Sequence, residues 1–246
     1  LPSKVFVDPH QGLRDLLLAT LRTPSTPEVS FSDDPLRMMR AARFAAQLDF
    51  ELDPDAFTAM TQMADRIEII SSERVRDEFS KLMLAKDPKP GLQMLVDSGI
   101  AQLVLPELPA LRLEIDEHHH HKDVYQHSLT VVDQAIALEK DYGLEDDQAL
   151  RLAALLHDIG KPATRRLETG GAVTFHHHDM VGAKLAKKRL IALRFDNDTV
   201  KAVARLIELH LRFFGYSDQQ WSDSAVRRYV RDAEDQLTRL HILTRA

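Results

Sequence analysis

The chain has no cysteine, which excludes a disulfide scaffold, a thiolate zinc site and a cysteine nucleophile. It has no apolar run near the roughly 20 residues that a membrane span needs. Its first ten residues, LPSKVFVDPH, carry neither a signal-peptide core nor an initiator Met, so the chain is expected to start inside a longer protein. Positive charge is not in excess: 32 Lys and Arg against 38 Asp and Glu give a net charge of −6. That excludes a wholesale basic coat for nucleic acid, though not a local basic patch. Glycine is scarce, at 9, and aromatic residues make up only 6%. What remains is ordinary for a folded protein. With 44% hydrophobic and 28% charged residues over 246 positions, a disordered, collagen-like or fibrous chain is excluded, and one large or two smaller cytoplasmic globular domains are expected.

Most of the chain reads as helix formers in 3.6-residue periodicity, so the fold is expected to be mainly α. The front is the exception. Val5-Phe6-Val7 is β-prone and breaks at Asp8-Pro9; an apolar Leu13–Leu21 stretch and a linker-like Arg22–Pro27 segment follow, and this front part is expected to be non-helical. Helices are then expected from about Asp34 to Leu48, from Asp53-Pro54, from Ser71-Ser72-Glu73 and from Gly91 to about Gly99. After residue 115 they are expected near 123–141, 146–157, 178–193, 197–211 and 223–244, with a hairpin-like insert over Arg166–Phe175.

Twelve histidines are present, and their placement is more informative than their number. His157-Asp158 ends an apolar helix, and Gly160 and Pro162 supply the ending. Neighbours on a helix point about 100° apart, so both side chains can reach one ion only where the helix stops. His127 lies on the preceding helix, and His178 and His210 lie on the two that follow. Bundles build metal centres by drawing one ligand from each of several helices in this way. Other histidines read differently: His118–His121 as a solvated acidic loop, His176 and His177 as turn residues, and His241 as a core or interface residue.

The order His127, His157-Asp158, His178, His210 over about residues 122–246 resembles the HD phosphohydrolase superfamily. The resemblance implies a divalent-metal site on His127, His157 and Asp158, with His178 and His210 completing a second site or contacting phosphate. Lys161 would neutralise phosphate charge. Mixed imidazole and carboxylate ligands suit Mn, Fe, Co, Ni or Mg better than a structural zinc. The family's last Asp is expected near Leu240–Ala246, where this chain has no carboxylate, so the chain is expected to be cut just before it. A helical scaffold without hydrolytic activity stays open.

In the front half, Asp34 and Arg37 are three positions apart and so are expected to share a helix face. An ordinary ion pair at that spacing is worth about 0.3–0.5 kcal/mol. The alternative is base recognition. Asp accepts from an exocyclic amine and Arg donates to a ring nitrogen or carbonyl, a combination that suits adenine and cytosine and opposes guanine and uracil. The run Asp33-Asp34-Pro35-Leu36-Arg37, continued by Arg40-Ala41-Ala42-Arg43-Phe44, is similar to the nucleotide-reading motif of bacterial tRNA CCA-adding enzymes and poly(A) polymerases. Asp8-Pro9-His10-Gln11-Gly12-Leu13-Arg14-Asp15 resembles the motif that closes that family's catalytic head, with Gln11 where a second Gly is common. Ser72-Glu73-Arg74-Val75-Arg76-Asp77-Glu78 resembles the motif that braces its neck helices.

The resemblance implies a fragment divided into a remnant of an α/β nucleotidyltransferase head (1–30), a neck and body (31–115) and an HD domain (116–246). Asp34, Arg37, Arg40 and Arg43 would bind nucleotide; Asp8, Gly12 and Asp15 would close the head; Glu73, Arg74 and Glu78 would brace the neck. The expected partners are tRNA, ATP and CTP, with no membrane. Mg would serve a head ahead of Leu1 that carries the Gly-Gly motif and the catalytic carboxylates. Lys184, Lys187, Lys188 and Arg189 form a basic cluster that suits either an RNA backbone or solvent. Poly(A) synthesis, or a metal-dependent phosphatase or phosphodiesterase in the HD domain, are the alternatives.

Overall fold

Short polar residues start six of the helices. Asp53, Ser71, Asp123, Asp147, Asp196 and Ser222 each accept hydrogen bonds from backbone N–H groups in the first turn that follows them. The computed structural model describes residues 7–112, 123–169, 171, 173–212 and 222–246. It is mainly α and divides into two compact units, Leu1–Leu103 and Val104–Ala246. No helix among the described residues is long and apolar enough to cross a membrane.

The first unit contains α1 (Gly12–Leu17), α2 (Pro27–Asp33), α3 (Leu36–Leu48), α4 (Pro54–Gln62), α5 (Ser72–Met83) and α6 (Lys89–Asp97). A parallel two-strand pair joins β1 (Thr20–Leu21) to β2 (Glu51–Leu52). The front is therefore partly helical, against the expectation. The Asp8 carboxylate accepts from Gly12 N (2.7 Å) and Leu13 N (2.9 Å) and so caps α1. Pro27, expected in the linker, opens α2, where its missing N–H costs nothing. Met38, Met39, Ala42 and Ala45 bury one face of α3 against α5 and α6. A Cβ on Gly91 would lie 2.4 Å from Ala42 O, so only glycine lets α6 approach α3 this closely.

The second unit follows α7 (Ile100–Val104). Its helices are α8 (Val124–Glu139), α9 (Gln148–Leu156), α10 (Lys161–Thr164), α11 (His178–Ala192), α12 (Asn197–Leu209), α13 (Asp223–Ala233) and α14 (Leu237–Arg245). The hairpin is β3 (Arg166–Leu167) paired antiparallel with β4 (Val173–Thr174). Residues Ala149–Leu156 are buried all round, and α8, α12 and α14 pack on α9. Inside this core the Arg151 guanidinium meets Glu139 through two bonds of 2.8 and 2.7 Å, with Asp146 at 3.0 Å. Burial works to lower the Arg151 pKa, but the Glu139 carboxylate outweighs it and holds the group above its ordinary value. The single helix expected over 223–244 is two, because the backbone reverses at Glu234 (φ 51) between α13 and α14.

Candidate functional site

Three histidines sit at helix ends with the same local arrangement. His157 follows α9, His178 begins α11 and His210 follows α12. The Nδ1 atom of each bonds the carbonyl three residues earlier: Ala154 (2.8 Å), Phe175 (2.8 Å) and Ile207 (2.6 Å). A carbonyl only accepts, so each Nδ1 carries the proton and each neutral ring presents the lone pair of Nε2.

These rings surround Asp158. Its Oδ2 lies 3.2 Å from His157 Nε2, 3.9 Å from His127 Nε2 and 2.7 Å from Lys161 Nζ, and its Oδ1 lies 3.2 Å from His178 Nε2. His178 Nε2 is buried and not aligned for a hydrogen bond. Two triads within metal-sharing distance result, His127–His157–Asp158 and Asp158–His178–His210, with ligand atoms inside 4.8 Å of one another. Burial alone would raise the Asp158 carboxyl, but His157 and the Lys161 ammonium hold it well below its ordinary value. Burial, reinforced by His157, pushes His210 down to about 4, so its ring is neutral at pH 7, as a ligand must be. A buried carboxylate shared by imidazoles whose Nδ1 atoms are tied to carbonyls fits a divalent cation.

Gly160 makes this convergence sterically possible in a way its sequence position does not suggest. Its φ of −79° is one that any residue can adopt, so the backbone angle does not call for glycine. Instead, a Cβ there would meet His178 O at 2.1 Å, so the turn after Asp158 rests directly on the backbone of α11. A cleft of about 380 Å³ lies over the centre, lined also by Lys161, Leu243, Thr244 and Arg245. His241 stacks on Tyr229 (centroids 5.6 Å apart) and is not part of the metal-type triads. His118–His121 lie outside the described residues.

In the first unit a cleft of about 510 Å³ is lined by Arg22, Pro24, Asp33, Arg37, Arg40 and Phe44, among others. Asp34 lies in the turn before α3 rather than on that helix, and its side chain accepts from Leu36 N (3.2 Å). The carboxylate pairs with Arg74 Nη2 of α5 (3.1 Å). Arg37 Nη1 bonds both the carbonyl (3.1 Å) and the hydroxyl (2.9 Å) of Ser30. The simple i,i+3 side-chain pair is therefore absent: among the described residues Arg37 N donates to Asp34 O (3.0 Å), but no hydrogen bond or ion pair joins the two side chains.

Arg40 is exposed at the cleft, whereas Arg43 is largely buried against Glu78 of α5 (2.8 Å) and is not among the cleft-lining residues. The motif around Ser72–Glu78 thus supplies Arg74 and Glu78 to residues of the α3 segment, while Glu73 is exposed in the first turn of α5. Asp15 pairs with Arg22 (2.5 Å). Gln11 has φ 58°, a left-handed backbone that favours the glycine it replaces in the motif. In the basic cluster Arg189 is held by Glu107 (2.8 Å), and Lys184, Lys187 and Lys188 are exposed. Sequence reasoning missed Ser30, a small residue with no distinguishing signal of its own.

The rear geometry defines a class: residues 124–246 match the HD domain family. Residues 49–111 match a second family, described as the probable RNA and SrmB-binding site of polymerase A. The A-adding tRNA nucleotidyltransferase of Deinococcus radiodurans is 36% identical over 92% of this chain and 51% of its own length. The CC-adding tRNA nucleotidyltransferase of Thermus thermophilus is 34% identical over 82% of this chain and 46% of its own. The solved structure of the Bacillus stearothermophilus CCA-adding enzyme in complex with CTP shares the fold, at TM-score 0.62 and 22% identity over 98% of this chain and 50% of that one. The chain belongs to the bacterial tRNA nucleotidyltransferase and poly(A) polymerase family that carries an HD domain. It spans about half the length of the curated relatives it matches.

Proposed function

We propose that this chain is the neck, body and HD portion of a template-independent RNA nucleotidyltransferase that extends tRNA 3′ ends from CTP and ATP. In this reading residues 1–30 belong to the head, 31–115 choose the nucleotide and hold RNA, and 116–246 form the HD domain. The observation that carries it is the separate tethering of the Asp34 and Arg37 side chains, with Arg37 lining a cleft of about 510 Å³. The Asp34 carboxylate can accept from an exocyclic amine, and the Arg37 guanidinium can donate to the ring acceptor next to it. Adenine and cytosine offer that pattern, and guanine and uracil do not. Arg40, at the same cleft, would face the triphosphate or the RNA end.

The test is incorporation by the full-length gene product with two tRNA substrates, one lacking CCA and one ending in CC. Incorporation of both CTP and ATP on the first supports the proposal. ATP use on the second with no incorporation on the first favours A addition, the activity named for the Deinococcus relative. ATP polymerisation without CTP use would identify a poly(A) polymerase.

A second activity is favoured by the shared position of Asp158 between two triads. His127, His157, Asp158, His178 and His210 would hold Mn, Co, Ni or Mg, with Lys161 beside them to bind phosphate. A divalent ion held there lowers the pKa of bound water and polarises a phosphoryl oxygen. Elemental analysis of the full-length protein checks this. Bound metal that is lost in Asp158→Ala and only partly lost in His127→Ala is expected, and metal-free wild-type protein would refute it.

A further inference from the structure

Asp34 and Arg37 are only three positions apart, yet their side chains do not pair. The Arg37 guanidinium is held instead by Ser30, which is fully buried on α2. Its carbonyl accepts from the backbone N–H of Asp34 (3.2 Å) and also from Arg37 Nη1 (3.1 Å). Its hydroxyl accepts from the same Nη1 at 2.9 Å. One side chain and its own carbonyl thus set the backbone of one partner and the guanidinium of the other. On the far side, Arg74 draws the Asp34 carboxylate towards α5.

We propose that Ser30 is a positioning residue for nucleotide selection, whose hydroxyl keeps Arg37 turned to the cleft and off Asp34. The inference rests on the reading that Asp34 and Arg37 select the base. The chemistry is that of competition. An Asp–Arg pair closed on itself has used the acceptor and donors that a base would need, and it must open before it can read one. Without the Ser30 hydroxyl, Arg37 keeps only a carbonyl that already serves the Asp34 N–H. The Asp34 carboxylate, three positions away, then becomes the stronger acceptor. Ser30 lies in the wall of the cleft beneath Arg37, so its loss acts on that guanidinium at the site.

The experiment measures steady-state incorporation from CTP, ATP, UTP and GTP by the full-length protein carrying Ser30→Ala, Arg37→Ala or both. Ser30→Ala is expected to raise KM for CTP and ATP about tenfold and to lower discrimination against UTP and GTP by a similar factor, the scale of losing one hydrogen bond to a charged group. The KM for tRNA and the melting temperature should stay near wild type. Because Ser30 acts through Arg37, the double variant should be no worse than Arg37→Ala alone. Wild-type selectivity in Ser30→Ala, or effects that multiply in the double variant, would overturn the inference. If Arg37→Ala itself leaves CTP and ATP use unchanged, base reading by this residue falls, and the role of Ser30 falls with it. If Arg37→Ala impairs selection and Ser30→Ala does not, only the role of Ser30 falls.

Discussion

The rear unit brings charged and polar groups together, whereas the front unit keeps two of them apart. At the rear, rings from three helix ends and the Lys161 ammonium converge on the single carboxylate of Asp158 in a buried setting. At the front, a carboxylate and a guanidinium only three positions apart are tied to different neighbours, one to α5 and one to α2. The difference follows from what each arrangement is able to bind. Convergent lone pairs around one buried carboxylate fit a cation. A donor at a cleft, kept apart from a neighbouring acceptor, fits a flat ligand that presents one of each.

The contrast extends to the arginines, and the largest effect is expected in the rear core. Arg151→Ala would leave the Glu139 carboxylate buried without its cation and should cost about 3–5 kcal/mol in chemical denaturation. A Glu139→Leu, Arg151→Met double variant should recover most of that loss, since the charge is then removed rather than stranded.

Gly160→Ala comes next. Its methyl group would strike the backbone of His178, and the resulting shift should destabilise the rear unit by about 1–3 kcal/mol. Metal content measured on the same variant should fall as well, because Asp158 and His178 would be pushed apart.

Smaller again is the N-cap Asp196, whose carboxyl is held below its ordinary pKa by hydrogen bonds from Thr199, backbone and side chain. A lowered folded-state pKa means that stability is present above the unfolded value and is lost as pH falls through the folded one. Asp196→Ala should therefore cost about 1 kcal/mol at pH 7, with the difference from wild type shrinking under acid. The smallest effect on stability is expected for Arg74→Ala. Its pair with Asp34 is half exposed, so unfolding should change by about 1 kcal/mol or less. Nucleotide selection should nevertheless weaken, which would separate a positioning role from a folding one.

Much of this organisation is legible in the residues themselves. Asp53-Pro54, Ser71 and Asp196 announce helix starts because a short side chain must satisfy free N–H groups there. The His157-Asp158 pair is recognisable because only a helix end lets two neighbours face one point. The break at Glu234 is hidden, since helix-forming residues lie on both sides and only the backbone reversal marks it. The partners Arg74 and Asp34 are 40 positions apart and meet only because α5 packs on α3. The helix α1 was missed for a different reason: Leu13, Leu16 and Leu17 do repeat at helical spacing, but over six residues that is too short a run to separate from the apolar stretch around it. Gly160 has the right position and a different physical role, which no local pattern could distinguish.

The most direct measurement is CTP and ATP incorporation into tRNA by the full-length protein with Asp34→Ala and Arg37→Ala combined, compared with wild type. Our account predicts that use of both nucleotides, and the preference over UTP and GTP, is largely lost while metal bound at the HD centre is retained. Unchanged CTP and ATP use in that variant would contradict it.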